Sequence, residues 1–222
     1  MIKFRTGSHI ISGLGWLVGG QDQVCQDYGG LVHELYTLDE EWLGLPIAAP
    51  ANNGTLYPSD ICITPLNSTH ILYTGGYVFD SVSNYLPDAW ILDLESLLWT
   101  ETRPMPVPRS GHGCVLDGAG EVFVAGGYPG GSAELMYNPD SQEWRLVETG
   151  SLPSQINDYY YQQILAWNNS ILLLETNTEN IWLMEENGSW TMMNVSMGAE
   201  FKGGWDTWAL VNTDFSISCL NS

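Results

Sequence analysis

The feature that most constrains this chain is a unit that recurs. In the best-preserved copy, from Arg109 to Pro153, four short apolar runs are separated by turn-forming residues. Cys114 to Leu116 is followed by Asp117-Gly118-Ala119-Gly120, and Val122 to Ala125 ends on the doublet Gly126-Gly127. Glu134 to Tyr137 closes on Asn138-Pro139-Asp140, and Trp144 to Val147 is the last run. Runs this short and this closely spaced, with a turn between each pair, predict a small four-stranded antiparallel sheet.

The same order of runs can be followed along the chain. The copies span roughly residues 5–58, 59–107, 108–153 and 154–197, and 203–222 reads as the first two strands of a fifth. A tryptophan opens the last run of each full copy, at Trp42, Trp99, Trp144 and Trp190. Doublets end the second run at Gly19-Gly20, Gly75-Gly76 and Gly126-Gly127, and copy four has Glu175-Thr176 instead. A period of about 45 residues with four strands per period is the signature of a β-propeller blade. The predicted fold is therefore an all-β propeller with about four and a half blades in view, forming one domain across 1–222. Each repeated residue has a mechanical role. Paired glycines at a strand end permit positive φ and close backbone approach where blades crowd. A large aromatic opening the outer strand fills the space between blades, and Tyr36 and Tyr137 in the third strand do the same while offering a hydroxyl to the backbone.

The pattern resembles the kelch repeat. The resemblance rests on the glycine doublets, on Tyr36 and Tyr137, on the four tryptophans, and on the openings Arg5–His9 and Arg109–His112. It covers nearly the whole chain and speaks to fold rather than activity. It implies a ring of six or seven blades, so that further blades or another chain would be needed for closure. It also implies loops that bind proteins. Some kelch propellers receive substrates for intracellular ubiquitin ligases through an attached N-terminal domain, and others are copper radical oxidases or sugar-acid epimerases.

Charge narrows the partners. There are 26 acidic and 6 basic residues, a formal net charge of −20. Such a field repels phosphate backbones and anionic membrane surfaces, which argues against nucleic acid and lipid. Solubility is the plain reading of the acidity; a cationic partner or calcium is the sharper one. No apolar run reaches the ~18 residues that would span a bilayer. The N-terminal stretch belongs to the first copy rather than to a signal peptide. Four cysteines, Cys25, Cys62, Cys114 and Cys219, permit three pairings. Cys62 and Cys114 lie inside apolar runs, where a free thiol acts as a small buried hydrophobe. Asn53, Asn67, Asn168, Asn187 and Asn194 each open an N-x-[ST] sequon, more than the roughly two expected by chance. The excess favours a glycoprotein of the secretory pathway or cell exterior, with a cytoplasmic setting as the alternative.

In an up-and-down blade the loops between strands two and three share one end with the connections between blades. The long aromatic-rich segments fall there. They contain Tyr28, Tyr77, Phe79, Asp80, Tyr85, Tyr128, Tyr159 and Tyr160, with Asp22, Asp27 and Asp158 nearby. Aromatics with few competing charges suit a protein interface, although tyrosines can also pack beneath their own loops. Three sequons, at Asn67, Asn168 and Asn187, lie in turns of the opposite end. The search for chemistry yields neither catalytic residues nor a cofactor: no hydrolase elbow, zinc-helix, Walker or dinucleotide pattern is present. His9 and His112 sit at a repeat position and read as structural. His33 and His70 have no ligand partner nearby, and the aspartates do not form a calcium loop. The expected function is a non-catalytic propeller that binds a protein through its long loops.

Overall fold

The computed structural model describes residues 9–11, 15–18, 34–37, 42–44, 61–78, 84–129, 134–147, 163–167, 170–174, 180–185, 188–193, 208–211 and 217–220; before residue 45 and after 207 it describes backbone alone. Among these residues every regular element is a strand. Blade one is β1 (His9–Ile11), β2 (Gly15–Val18), β3 (Glu34–Thr37) and β4 (Trp42–Gly44). Blade two is β5 (Cys62–Pro65), β6 (His70–Thr74), β9 (Ala89–Asp93) and β10 (Leu98–Glu101), with a side hairpin of β7 (Tyr77–Val78) and β8 (Asn84–Tyr85). Blade three is β11 (Gly113–Leu116), β12 (Val122–Ala125), β13 (Leu135–Asn138) and β14 (Glu143–Leu146). Blade four is β15 (Gln163–Trp167), β16 (Ser170–Leu174), β17 (Ile181–Met184) and β18 (Trp190–Met192). The strands β19 (Trp208–Val211) and β20 (Ile217–Leu220) pair as a further hairpin.

Each blade is a meander of neighbouring antiparallel strands. The first strands stand side by side, with β1 next to β5, β5 next to β11 and β11 next to β15. They form the inner wall of an arc, and the fourth strands form its rim. Among the described residues, no contact that would close the blades into a ring is seen between the β19–β20 hairpin and blade one.

Period-two alternation explains how one sheet serves two neighbours. On blade three, Cys114, Val122, Val124, Leu135 and Tyr137 face blade two, where they meet Cys62, Leu72 and Met105. The alternate residues Phe123, Ala125 and Met136 face blade four and pack on Ile164, Ile171 and Leu173. The strands read as almost continuously apolar because both faces are covered. The closing tryptophans fill these seams. Trp144 lies opposite Tyr137 in register, their rings are 4.8 Å apart, and its Nε1 donates to the Arg103 carbonyl of blade two at 2.7 Å. Trp190 packs against Phe123 at 6.1 Å and donates from Nε1 to Glu134 Oε1 at 3.0 Å. Trp99 contacts Tyr73 edge-on at 5.6 Å. In blade one, Tyr36 and Trp42 are Cα partners, the register of Tyr137 and Trp144.

Three expectations need correction. Residues 77–88 are not simply a loop, because Tyr77 pairs with Tyr85 and Val78 with Asn84 in a short hairpin. Strands of two residues each are too short for alternation to show. The Tyr137 hydroxyl meets Thr102 Oγ1 at 2.6 Å rather than the backbone, because the preceding blade presents a side chain there. Finally, Cys62 and Cys114 are not free thiols. They form a disulfide across the seam of blades two and three, with Cα atoms 6.0 Å apart. The two cysteines lie at the start of the inner strands of adjacent blades, Cys62 first in β5 and Cys114 second in β11, and only the juxtaposition of those strands brings them together.

Candidate functional site

The glycine doublets set the geometry of the long-loop end. Gly75 has φ +64° and Gly127 φ +78°. A Cβ at Gly75 would lie 2.4 Å from the Arg109 carbonyl oxygen, and one at Gly127 would lie 2.7 Å from that of Ser110. Both doublets thus press against the segment Arg109-Ser110-Gly111-His112 that enters blade three. The Gly76 N–H donates to the Arg109 carbonyl at 2.9 Å, and the Arg109 N–H donates to the Leu86 carbonyl at 3.2 Å. Ser110 and Tyr128 exchange a pair of backbone hydrogen bonds, both 2.9 Å. The Arg109 side chain is fully buried and donates from Nη1 to the Gly126 carbonyl at 3.0 Å. Burial lowers its pKa to about 10, so the guanidinium stays charged at neutral pH. His112, also buried, lies 2.8 Å through Nε2 from Thr74 Oγ1. Arg109 and His112 are therefore structural in this setting.

This scaffold gathers three tyrosines from two blades. Tyr77 and Tyr85, paired across the β7–β8 hairpin, have ring centroids 5.2 Å apart. Tyr85 meets Tyr128 edge-to-face at 5.1 Å. Tyr128 is 48% exposed, and Tyr77 and Tyr85 are half-buried. The row is neither a closed core nor a set of isolated surface rings. It is a continuous aromatic ridge with one solvent-facing end, a form that supplies large rigid contact area. Asp88 lies at the base of the same hairpin, where its carbonyl accepts the Gly75 N–H at 2.8 Å. Partial burial and the nearby Glu101 carboxylate raise its carboxyl pKa. The Asp88 charge adds to the burial that pushes the Tyr73 phenol above its usual range.

The other expected members of the site, Tyr28, Phe79, Asp80, Tyr159 and Tyr160, lie outside the described residues, as do the sequon asparagines Asn53, Asn168, Asn187 and Asn194 and the doublet Gly19-Gly20. Asn67 is described. It occupies the exposed β5–β6 turn, at the end opposite the tyrosines. Sequence reasoning overlooked Ser110, which binds Tyr128 in place, and Glu134, which is buried and receives the Trp190 indole N–H. The position of Ser110 beside the Arg…His opening was the available signal; an isolated glutamate gives none. Among the described residues no group of three or more histidine, cysteine or acidic side chains has metal-holding geometry.

No protein-family model matches the chain. It is 31% identical over 109 residues to Kelch-like protein 36 of Bos taurus, a stretch covering 46% of this chain and 18% of that protein. The rat protein of the same name is 30% identical over 100 residues, 42% of this chain and 16% of its own length. Similarity extends to the tRNA wybutosine-synthesizing protein 4 of Eremothecium gossypii, at 31% over 97 residues, 42% of this chain and 14% of that protein. The chain thus matches less than a fifth of the length of these curated relatives. The meandering blades, the doublets seated on Arg109–His112 and the stretch shared with Kelch-like protein 36 identify the four sheets as kelch-type blades of a β-propeller.

Proposed function

We propose that this chain is a non-catalytic interaction module, secreted or displayed at the cell surface, that grips a basic protein segment through Tyr77, Tyr85 and Tyr128. The observation that carries the reading is the aromatic ridge itself: three rings from two blades, in mutual contact, with Tyr128 open to solvent. A net charge of −20 makes a cationic partner the complementary one, both by long-range steering and by placing Lys or Arg heads over tyrosine faces. Rings already packed on each other lose little freedom on binding, which favours affinity.

The test is a binding measurement with the intact chain against a library of Lys/Arg-rich peptides, followed by titration of the best binder at increasing salt. Affinity should fall as ionic strength rises. Tyr128→Ala should cost roughly 2 kcal/mol, about a thirtyfold loss in Kd, if the ring is a central anchor. Leu146→Ala, on the exposed outer strand β14, should leave affinity unchanged. Equal losses from both substitutions, or none from Tyr128→Ala, would refute the assignment. An intracellular adaptor built on the same ridge is the alternative reading, and the similarity to Kelch-like protein 36 is compatible with it. The oxidation state of Cys62 and Cys114 in the native protein separates the two, since cytosolic thiols are kept reduced.

A further inference from the structure

We propose that Asn67 is an N-glycan acceptor, so that the blade end opposite the tyrosine ridge carries an oligosaccharide. Asn67-Ser68-Thr69 forms the β5–β6 turn, and both Asn67 and Ser68 are exposed. The hydrogen bonds of the Asn67 side chain all fall on Oδ1. It accepts from the Thr69 N–H at 2.8 Å, the Thr69 hydroxyl at 3.1 Å and the His70 N–H at 2.8 Å, and it lies 3.3 Å from His70 Nδ1. Elsewhere at this end the same turn-making duty falls partly to aspartate: Asp93 Oδ1 accepts from Glu95, and Asp117 Oδ1 from Ala119 and Glu121. A carboxylate therefore suffices for the turn, and the amide nitrogen of Asn67 is the atom the turn does not use. The threonine two residues on is the sequon hydroxyl, and here it touches the acceptor side chain.

The second observation is independent of the turn. The Cys62–Cys114 bond joins the inner strands of two blades, and both residues are buried at 6% exposure or less. Disulfides of this buried, structural kind persist in the oxidising secretory pathway, the compartment in which sequons are used. In the transfer the Asn67 amide nitrogen attacks the anomeric carbon of a lipid-diphosphate-linked oligosaccharide. The N–C bond forms, the C–O bond to the diphosphate breaks, the amide loses one proton and the lipid diphosphate leaves. A glycan in the β5–β6 turn projects from the end of the blade away from Tyr77, Tyr85 and Tyr128, because β6 runs the full height of the sheet between the two.

The test uses the full chain sent through the secretory pathway of cultured eukaryotic cells, and in parallel the native protein recovered by antibody. Peptide mapping with and without peptide-N-glycosidase is expected to find the Asn67 peptide glycosylated, with the enzyme leaving an aspartate in place of the glycosylated asparagine. N67D keeps an oxygen acceptor for the turn and removes the nitrogen. It should lose one glycan-sized step in electrophoretic mobility while retaining the Cys62–Cys114 bond and the wild-type unfolding temperature, measured on deglycosylated material. An unmodified Asn67 peptide from secreted chain bearing the disulfide overturns the proposal. So does native protein with Cys62 and Cys114 reduced and Asn67 bare. Tyr128→Ala should keep the glycan, so loss of partner binding and loss of glycosylation are read separately.

Discussion

Replacing Gly75 by alanine tests whether the doublet is the joint between blades two and three. Two costs arise from different causes. The backbone at Gly75 is left-handed, with φ +64°, and a Cβ in that region costs roughly 1–2 kcal/mol. The new carbon would also stand 2.4 Å from the Arg109 carbonyl oxygen and 2.6 Å from the His112 ring. Neither can yield cheaply. The carbonyl accepts the Gly76 N–H, and the ring is fixed on Thr74. Relief requires the blades to part at this point, an overpacking cost of about 1–3 kcal/mol. Gly75→Ala should therefore lose about 2–5 kcal/mol, a large share of the roughly 5–15 kcal/mol that usually holds a domain together. Gly120→Ala is the matched control. It has φ +85° but nothing within 4 Å of the added carbon, so only the backbone term of roughly 1–2 kcal/mol remains. Urea unfolding followed by tryptophan fluorescence, with calorimetry alongside, gives both values. If Gly75→Ala is no more destabilising than Gly120→Ala, the close approach is not what the glycine serves.

Two further outcomes follow from the same seam. Replacing Cys62 and Cys114 together by serine opens a loop whose ends are 52 residues apart; the chain-entropy relation puts the loss at about 4 kcal/mol, and unfolding under oxidising conditions should then resemble that of the reduced wild type. Asp88 has a raised carboxyl pKa in the folded protein, from burial first and Glu101 second, so the folded state holds its proton at pH values where the unfolded chain has released it. Its contribution is therefore complete below the ordinary carboxylate range and is lost as pH rises through the raised folded value. Asp88→Asn should flatten the pH dependence of the urea midpoint in that window, and a midpoint profile unchanged from wild type would contradict the assignment.

What was legible in the sequence was whatever short-range pattern dictates. Val122 to Ala125 is an unbroken apolar run because the sheet is covered on both faces. Trp144 and Trp190 announce the outer strands because only a large ring fills the seam between blades. What was not legible depends on how blades meet. Cys62 had three ways to pair with the other cysteines, and only the placement of β5 beside β11 chooses Cys114. Glu134 stands at the head of an apolar run, and nothing local shows that the Trp190 indole makes its burial tolerable. Tyr77, Tyr85 and Tyr128 each read as loop residues, but no local pattern says that these three share one ridge.

The ridge and the joint are one construction. Arg109 receives the Gly76 N–H and donates to Leu86, directly after Tyr85 in the hairpin, and Ser110 holds the backbone of Tyr128 by two hydrogen bonds. The contacts that lock blade two to blade three therefore also fix the distance between Tyr85 and Tyr128. A change at Gly75 that parts the blades must move these rings, although it touches neither. On the proposed function, binding and inter-blade stability are coupled through Arg109 and Ser110, and substitutions at the exposed Tyr128 ring are expected to alter binding alone. This separation is what a recognition surface on a repeat scaffold requires. The glycines and the buried arginine hold position, and the rings above them carry the proposed contact.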